Sequence, residues 1–173
     1  MLLFSPLELG DLTAENRIVR SATAEGLAEQ DGSVSEPLVK LYKTLASGGS
    51  GVIITGFMYV SESGKAIEKM TGISRDEHVK GLSKLVSEVK KVNRNVILVA
   101  QLCHAGRQTR VSEPVAPSPV RDPSTGITPR ELTKEEIERI IEEFAEASRR
   151  AEKAGFDAIQ LHSAHGYLLN QFL

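Results

Sequence analysis

Two imidazoles and a phenol stand close together in His162-Ser-Ala-His165-Gly-Tyr167. They follow a strand-like run, residues 157 to 162, which begins after a helix stop at Gly155. In barrels and open α/β sheets, chemistry is placed at the edge where parallel strands end. Three readings compete for the histidines. As metal ligands they need a third donor, from His104 or Asp157. The carboxylate that orients a ligating imidazole is not evident nearby, so this reading is the weakest. As hydrogen-bond donors they can converge on one oxygen and stabilise charge developing there. Tyr167 then has a phenol able to give a proton to a developing carbanion. As structure, the imidazoles are simply bonded near a strand end, and Tyr167 is an amphipathic residue with its hydroxyl at the rim.

A second group ends the third core strand, Gln101-Leu-Cys103-His104-Ala-Gly-Arg107. Strand alternation puts Ile97, Val99 and Gln101 on one face and Val96, Leu98 and Ala100 on the other. An amide at the end of an apolar face must satisfy both its donor and its acceptor. Loop backbone can do this, and so can the paired acceptor and donor edge of a flavin ring. Cys103 reads as a small buried hydrophobe. It is the only cysteine, which excludes an intrachain disulfide and a cysteine metal cage. His104 is either a site residue or an anchor for the following loop, and Arg107 serves either an anion or a loop carboxylate.

The elements that must position these groups alternate. Leu2-Phe4 and Leu7-Leu12, broken by Ser5-Pro6 and Gly10-Asp11, suggest a hairpin or cap. A first core strand runs from Ile18 to about Thr23. Ser35 caps a helix with Pro37 in its first turn and Leu38, Leu41, Tyr42 and Leu45 as its stripe, stopped by Gly48-Gly49. Gly51-Thr55 reads as a strand buried on both faces. Asp76 should cap a second helix carrying Val79, Leu82, Leu85, Val86 and Val89. Asn95-Leu102 is the strongest strand. The loop from His104 to Leu132 holds five of the seven prolines, and loops this long are usually functional. Thr133-Lys-Glu-Glu136 is a capping box opening a third helix with Ile137, Ile140, Ile141, Phe144, Ser148 and Ala151 on one face. Such βα alternation implies a parallel sheet with right-handed crossovers, either doubly wound or part of a (βα)8 barrel.

Composition narrows the function classes. The 173 residues, 40% hydrophobic, 25% charged and with a net charge of −2, suit one globular domain over 1–173. Nothing in the charge pattern suggests nucleic acid or membrane as a partner, no signal peptide is expected, and the expected compartment is the cytoplasm. Gly48-Gly-Ser-Gly51 precedes a strand instead of opening a helix, so it cannot present amides to a pyrophosphate as a dinucleotide fingerprint does.

Asn16-Arg-Ile-Val-Arg-Ser-Ala22, Gln101-Leu-Cys-His-Ala-Gly-Arg107, Ala116-Pro-Ser118 and the whole run from Ala154 to Leu173 together resemble the old yellow enzyme family of NADH:flavin oxidoreductases. The resemblance runs in order across the chain and implies a (βα)8 barrel with FMN at the C-terminal mouth of its strands. It also implies hydride transfer from NADH or NADPH through the flavin to an α,β-unsaturated carbonyl, the enone class. Carried onto this sequence, Ser21, Ala22, Thr23 and Ala24 would line the flavin, with the Phe57 backbone meeting its ring and Gln101 its pyrimidine edge. His162 and His165 would hold the substrate carbonyl and Tyr167 would protonate the α-carbon; no metal is implied. Ala24 stands where relatives often carry Cys or Thr, Gly26 replaces an aromatic that lines the substrate in some members, and Phe57 is bulkier than usual.

Four βα units are half of eight, and the late strands of the family, which supply its phosphate site, have no counterpart. The expectation is therefore the N-terminal half of such a barrel with a hairpin cap, inactive by itself. Its open sides would favour a missing C-terminal half or a second copy as partner. The competing expectation is a non-catalytic half-barrel, an assembly or folding unit that holds no FMN. A metal-dependent hydrolase using His104, His162 and His165 is a third.

Overall fold

The computed structural model describes residues 1–173. Its hairpin is shorter than the sequence suggested. β1 (Leu7–Leu9) and β2 (Leu12–Ala14) pair antiparallel across Gly10-Asp11, while Leu2–Phe4 form one 3-10 turn. Gly10 takes φ +62°, the left-handed conformation that tight hairpin turns require.

Four parallel strands follow, in sheet order β3 (Val19–Arg20), β4 (Val52–Ile54), β6 (Ile97–Cys103) and β9 (Ala158–Leu161). The helices α1 (Glu36–Ser47), α2 (Glu77–Val92) and α3 (Lys134–Ala154) connect them. Val52 sits beside Ile97, and Val99 beside Ala158. The four units make half of a (βα)8 barrel. Between β4 and β6 in the chain lies β5 (Met58–Tyr59), and between β6 and α3 lie β7 (Val115–Ala116) and β8 (Arg130–Glu131), a short parallel pair inside the proline-rich loop.

The helix ends follow local chemistry. Ser35 Oγ accepts from the Leu38 N–H, and Thr133 and Glu136 exchange both bonds of a capping box. Gly155 closes α3 in the left-handed conformation. Asp76 stands at the α2 N-cap but does not cap with its side chain; its carboxylate takes Arg150 Nε at 2.7 Å instead. Tertiary charge pairing has overridden the local option.

One core of 25 buried residues fills the space between sheet and helices, including Leu38, Tyr42, Ile53, Leu82, Leu98, Leu102 and Phe144. Ile141 does not join it. That residue is 64% exposed, because the buried stripe of α3 runs through Ile140, Phe144, Ala147, Ala151 and Ala154. Similarly, Leu41 is only half-buried while Val39 and Ala46 are buried. On the opposite face, Val52, Ile97 and Val99 cluster with Ala14, with Leu7 and Leu12 of the hairpin packed against them. The hairpin thus covers the floor of the concave side, and the strand tips stay open.

Candidate active site at the strand tips

β4 ends at Ile54, and the chain resumes pairing with β6 at Met58, in β5. Ile54 pairs with Val99 and Met58 with Leu102, so four steps along one strand match three along the other. This is a one-residue bulge, and it reverses the side-chain alternation. Before it, Ile53 faces the helices and Ile54 the concave side. After it, Met58 faces the helices, and Phe57 turns toward Tyr167. Thr55 holds the gap: its N–H donates to the Val99 carbonyl, and its hydroxyl accepts from the Gln101 N–H.

Phe57 joins an aromatic group in which His162 touches all three other rings. The Phe57 ring centroid is 5.4 Å from Tyr167 and 6.2 Å, edge-on, from His162. His162 is 4.8 Å from Tyr167 and 5.2 Å from His165. Phe57 also lines a small cleft with Ala24 and Gly26. Phe57, His162, His165 and Tyr167 are therefore brought together, and Phe57 alone is shared with the cleft of Ala24 and Gly26. Ser21, Ala22 and Thr23 lie on the irregular segment after β3 that leads to Ala24, with the Thr23 carbonyl close against Gly56.

Gln101 is 7% exposed and finds a partner that sequence reasoning missed. Its Nε2 donates to Gln160 Oε1 at 2.7 Å, across the register in which the two residues sit side by side. No hydrogen bond within the chain reaches Gln101 Oε1. The signal for Gln160 was present, because it shares its strand face with Ala158 and His162 and is polar in a run read as buried.

Backbone geometry sets the histidine pair. His165 is the one non-glycine residue with positive φ, +59°, and Gly166 follows at +75°. This conformation costs about 1 kcal/mol or more for a side chain with a Cβ. Gln108 Nε2 donates to the His165 carbonyl, Asn170 accepts from the Gly166 N–H, and Gln171 Nε2 donates to the Gly166 carbonyl. Asn170 and Gln171 belong to α4 (Leu168–Gln171), which starts immediately after Tyr167. The Ala164 N–H approaches His162 Nδ1 at 3.4 Å, which leaves the proton on Nε2 as that ring's free donor. Burial, and then the neighbouring His165, hold the His162 imidazole below its ordinary pKa, so it is neutral at pH 7. Burial raises the Tyr167 phenol, which keeps its proton.

The remaining candidates are engaged elsewhere. His104 is buried; its Nδ1 accepts from the Gly106 N–H and its Nε2 faces Ser63 Oγ at 3.3 Å. Asp157 sits at the opposite end of β9, bound to Lys90 at 2.6 Å and to the Leu98 N–H. The third metal ligand that the hydrolase reading required is thus missing, and no three His, Cys, Asp or Glu side chains converge. Arg107 pairs with the buried loop carboxylate Asp122 at 3.3 Å. Burial pushes the Cys103 thiol far above its usual range, which keeps it unreactive.

The sequence model of the NADH:flavin oxidoreductase / NADH oxidase family matches residues 2–173. The chain is 41% identical over 175 residues to an NADPH dehydrogenase of Clostridium acetobutylicum, covering 100% of this chain and 51% of that protein. Among solved structures, the old yellow enzyme homologue of Zymomonas mobilis superposes with a TM-score of 0.87 at 31% identity, over 97% of this chain and 50% of its own. Morphinone reductase in complex with tetrahydroNAD gives 0.88 at 29% identity, over 99% and 52%. The chain spans about half the length of the relatives it matches.

Proposed function

The chain belongs to the NADH:flavin oxidoreductase / NADH oxidase family, and on that premise we propose that it carries the N-terminal half of an FMN site for reducing enone-type substrates with NADH or NADPH. The observation that supports this most is the convergence of Phe57, His162, His165 and Tyr167 beside Gln101 at one end of the parallel strands. These residues suit a flat ring with a polar edge. Gln101 keeps an acceptor oxygen uncommitted inside an apolar wall, which matches a ring N–H.

Bound there, FMN supplies hydride transfer from a reduced nicotinamide to an electron-poor acceptor. The protein's part is positioning and proton handling. Ser21, Ala22, Thr23, Ala24 and the Phe57 backbone line the ring, and Gly26 leaves room for substrate beside it. Neutral His162, with its proton on Nε2, donates to the substrate carbonyl oxygen together with His165 and stabilises the charge that gathers there. Tyr167, held protonated, delivers a proton to the carbon beside that carbonyl.

Partner and cofactor are tied together in this reading. Val19 is 45% exposed, Ile159 42% and Leu161 50%, all on strands with one free edge. A complementary half-barrel, or a second copy of this chain, would cover them. The same exposure supports the competing reading of an assembly unit without cofactor. FMN titration separates the two, followed by visible absorption and flavin fluorescence. It would be done on the chain alone and on the chain combined with a polypeptide spanning the unmatched half of the Clostridium relative. A shifted flavin band with quenched fluorescence in the combination is expected. Assembly with no change in either signal would overturn the flavin reading in favour of the assembly unit.

A further inference from the structure

We propose that Glu25 is a positioning residue that clamps the tip of β3 to the bulge carrying Phe57 and so fixes the backbone facing the flavin; this rests on the flavin reading above. Glu25 lies between Ala24 and Gly26, with its side chain 7% exposed. Its Oε1 accepts from the Tyr42 hydroxyl of α1 and from the Gly56 N–H at 2.8 Å. The Gly56 N–H also reaches the Tyr42 hydroxyl, at 2.8 Å. Arg20 Nη1 stands 3.7 Å from the same carboxylate oxygen and donates to the Ile54 carbonyl at 2.8 Å. The guanidinium also lies 5.7 Å from the centre of the Tyr42 ring. One carboxylate thus ties together β3, α1 and the bulge of β4.

Two features argue that this arrangement does more than fill space. A buried charged group is a poor way to stabilise a fold, since apolar residues of similar volume do as well or better. What it gives is direction. The Gly56 amide is held by both Glu25 and Tyr42, and a Cβ at position 56 would lie 2.0 Å from Glu25 Oε2. Burial, and then Glu25, push the Tyr42 phenol well above its ordinary pKa, so Tyr42 stays a donor to Glu25. Because Glu25 is flanked by two residues of the Phe57 cleft and bonds the residue before Phe57, both walls of that cleft move with it.

The test compares Glu25→Gln, Glu25→Ala and Tyr42→Phe in the FMN-binding combination described above. It reads the FMN Kd, the flavin absorption bands and hydrogen exchange at the Gly56 amide. Glu25→Gln keeps an acceptor for both donors, and its Kd should stay within about threefold of the parent's. Glu25→Ala leaves the Tyr42 hydroxyl without its acceptor and the Gly56 N–H with the Tyr42 oxygen alone, and should weaken FMN binding by about tenfold or more, shift the bands and speed Gly56 exchange. Tyr42→Phe should fall between. Glu25→Ala with the parental Kd and spectrum would overturn the proposal, even with faster Gly56 exchange, because the residue would then be structural only. If Glu25→Ala does not fold, Tyr42→Phe decides by the same criterion. A parent that binds no FMN defeats the flavin reading itself; Gly56 exchange unchanged in Glu25→Ala then defeats the clamp separately.

Discussion

His104 should make the protein acid-sensitive in a measurable window. Its ring is 1% exposed, its Nδ1 takes the Gly106 N–H, and burial holds its pKa down from 6.5 to about 4. An unfolded chain takes the proton near 6.5, whereas the native state refuses it until about 4. The native state is therefore fully favoured above about pH 6.5, loses ground as the pH falls toward 4, and loses no more below that. At about 1.4 kcal/mol per pH unit, the interval amounts to about 3 kcal/mol from this one ring. His78 and His162 are also lowered by burial and act in the same direction, so His104 must be isolated by substitution. Asn can offer Oδ1 to the Gly106 N–H without titrating. His104→Asn will be less stable overall for the atoms removed, so the informative quantity is the slope. Urea unfolding from about pH 4 to about pH 8 should show the parent losing about 3 kcal/mol more than the variant across the window. Parallel stability curves would refute the reasoning.

Gly56→Ala should cost about 3 kcal/mol or more by urea unfolding, since the new methyl must displace a buried, multiply bonded carboxylate or the Thr23 carbonyl; a loss under about 0.5 kcal/mol would mean that the site relaxes freely. Thr133→Ala removes the acceptor for the Glu136 N–H and should cost about 1 to 2 kcal/mol in the same assay. Tyr167→Phe, in the FMN-loaded combination, should slow oxidation by an enone by about a hundredfold in stopped-flow experiments. Reduction by NADPH should be unaffected, and equal losses in both half-reactions would count against a proton-donor role.

Sequence could reveal features whose cause lies within a few residues. Ser35, Thr133-Glu136 and Gly155 announce helix ends because capping is local, and all three act as read. The apolar run at Gly51–Thr55 disclosed a strand but not its continuation as β5, because a bulge exists only relative to a partner. Phe57 was assigned to the ring through resemblance, yet its inward direction depends on that extra residue. Ile141 misled because a 21-residue helix offers several plausible stripes, and the sheet beneath it selects one. The histidines and Tyr167 were legible by type and spacing. Glu25 and the left-handed His165 were not, since each depends on partners far along the chain or on backbone shape, and Gln160 was visible as a polar break in its strand without its partner Gln101.

The free side of β9 instructs whatever strand joins it. Along that edge Gln160 looks into the concavity, and Ile159 and Leu161 look away from it. Since neighbouring strands share a pleat, an incoming strand would have to match this phase: its residue beside Gln160 would meet the concave side, and those flanking it would have to cover two apolar side chains. A slip of one position would put the wrong side chains beside Gln160 and polar groups onto Ile159 and Leu161. Any strand that docked on this edge would thus be selected by the four residues of β9, before any loop or helix had made contact.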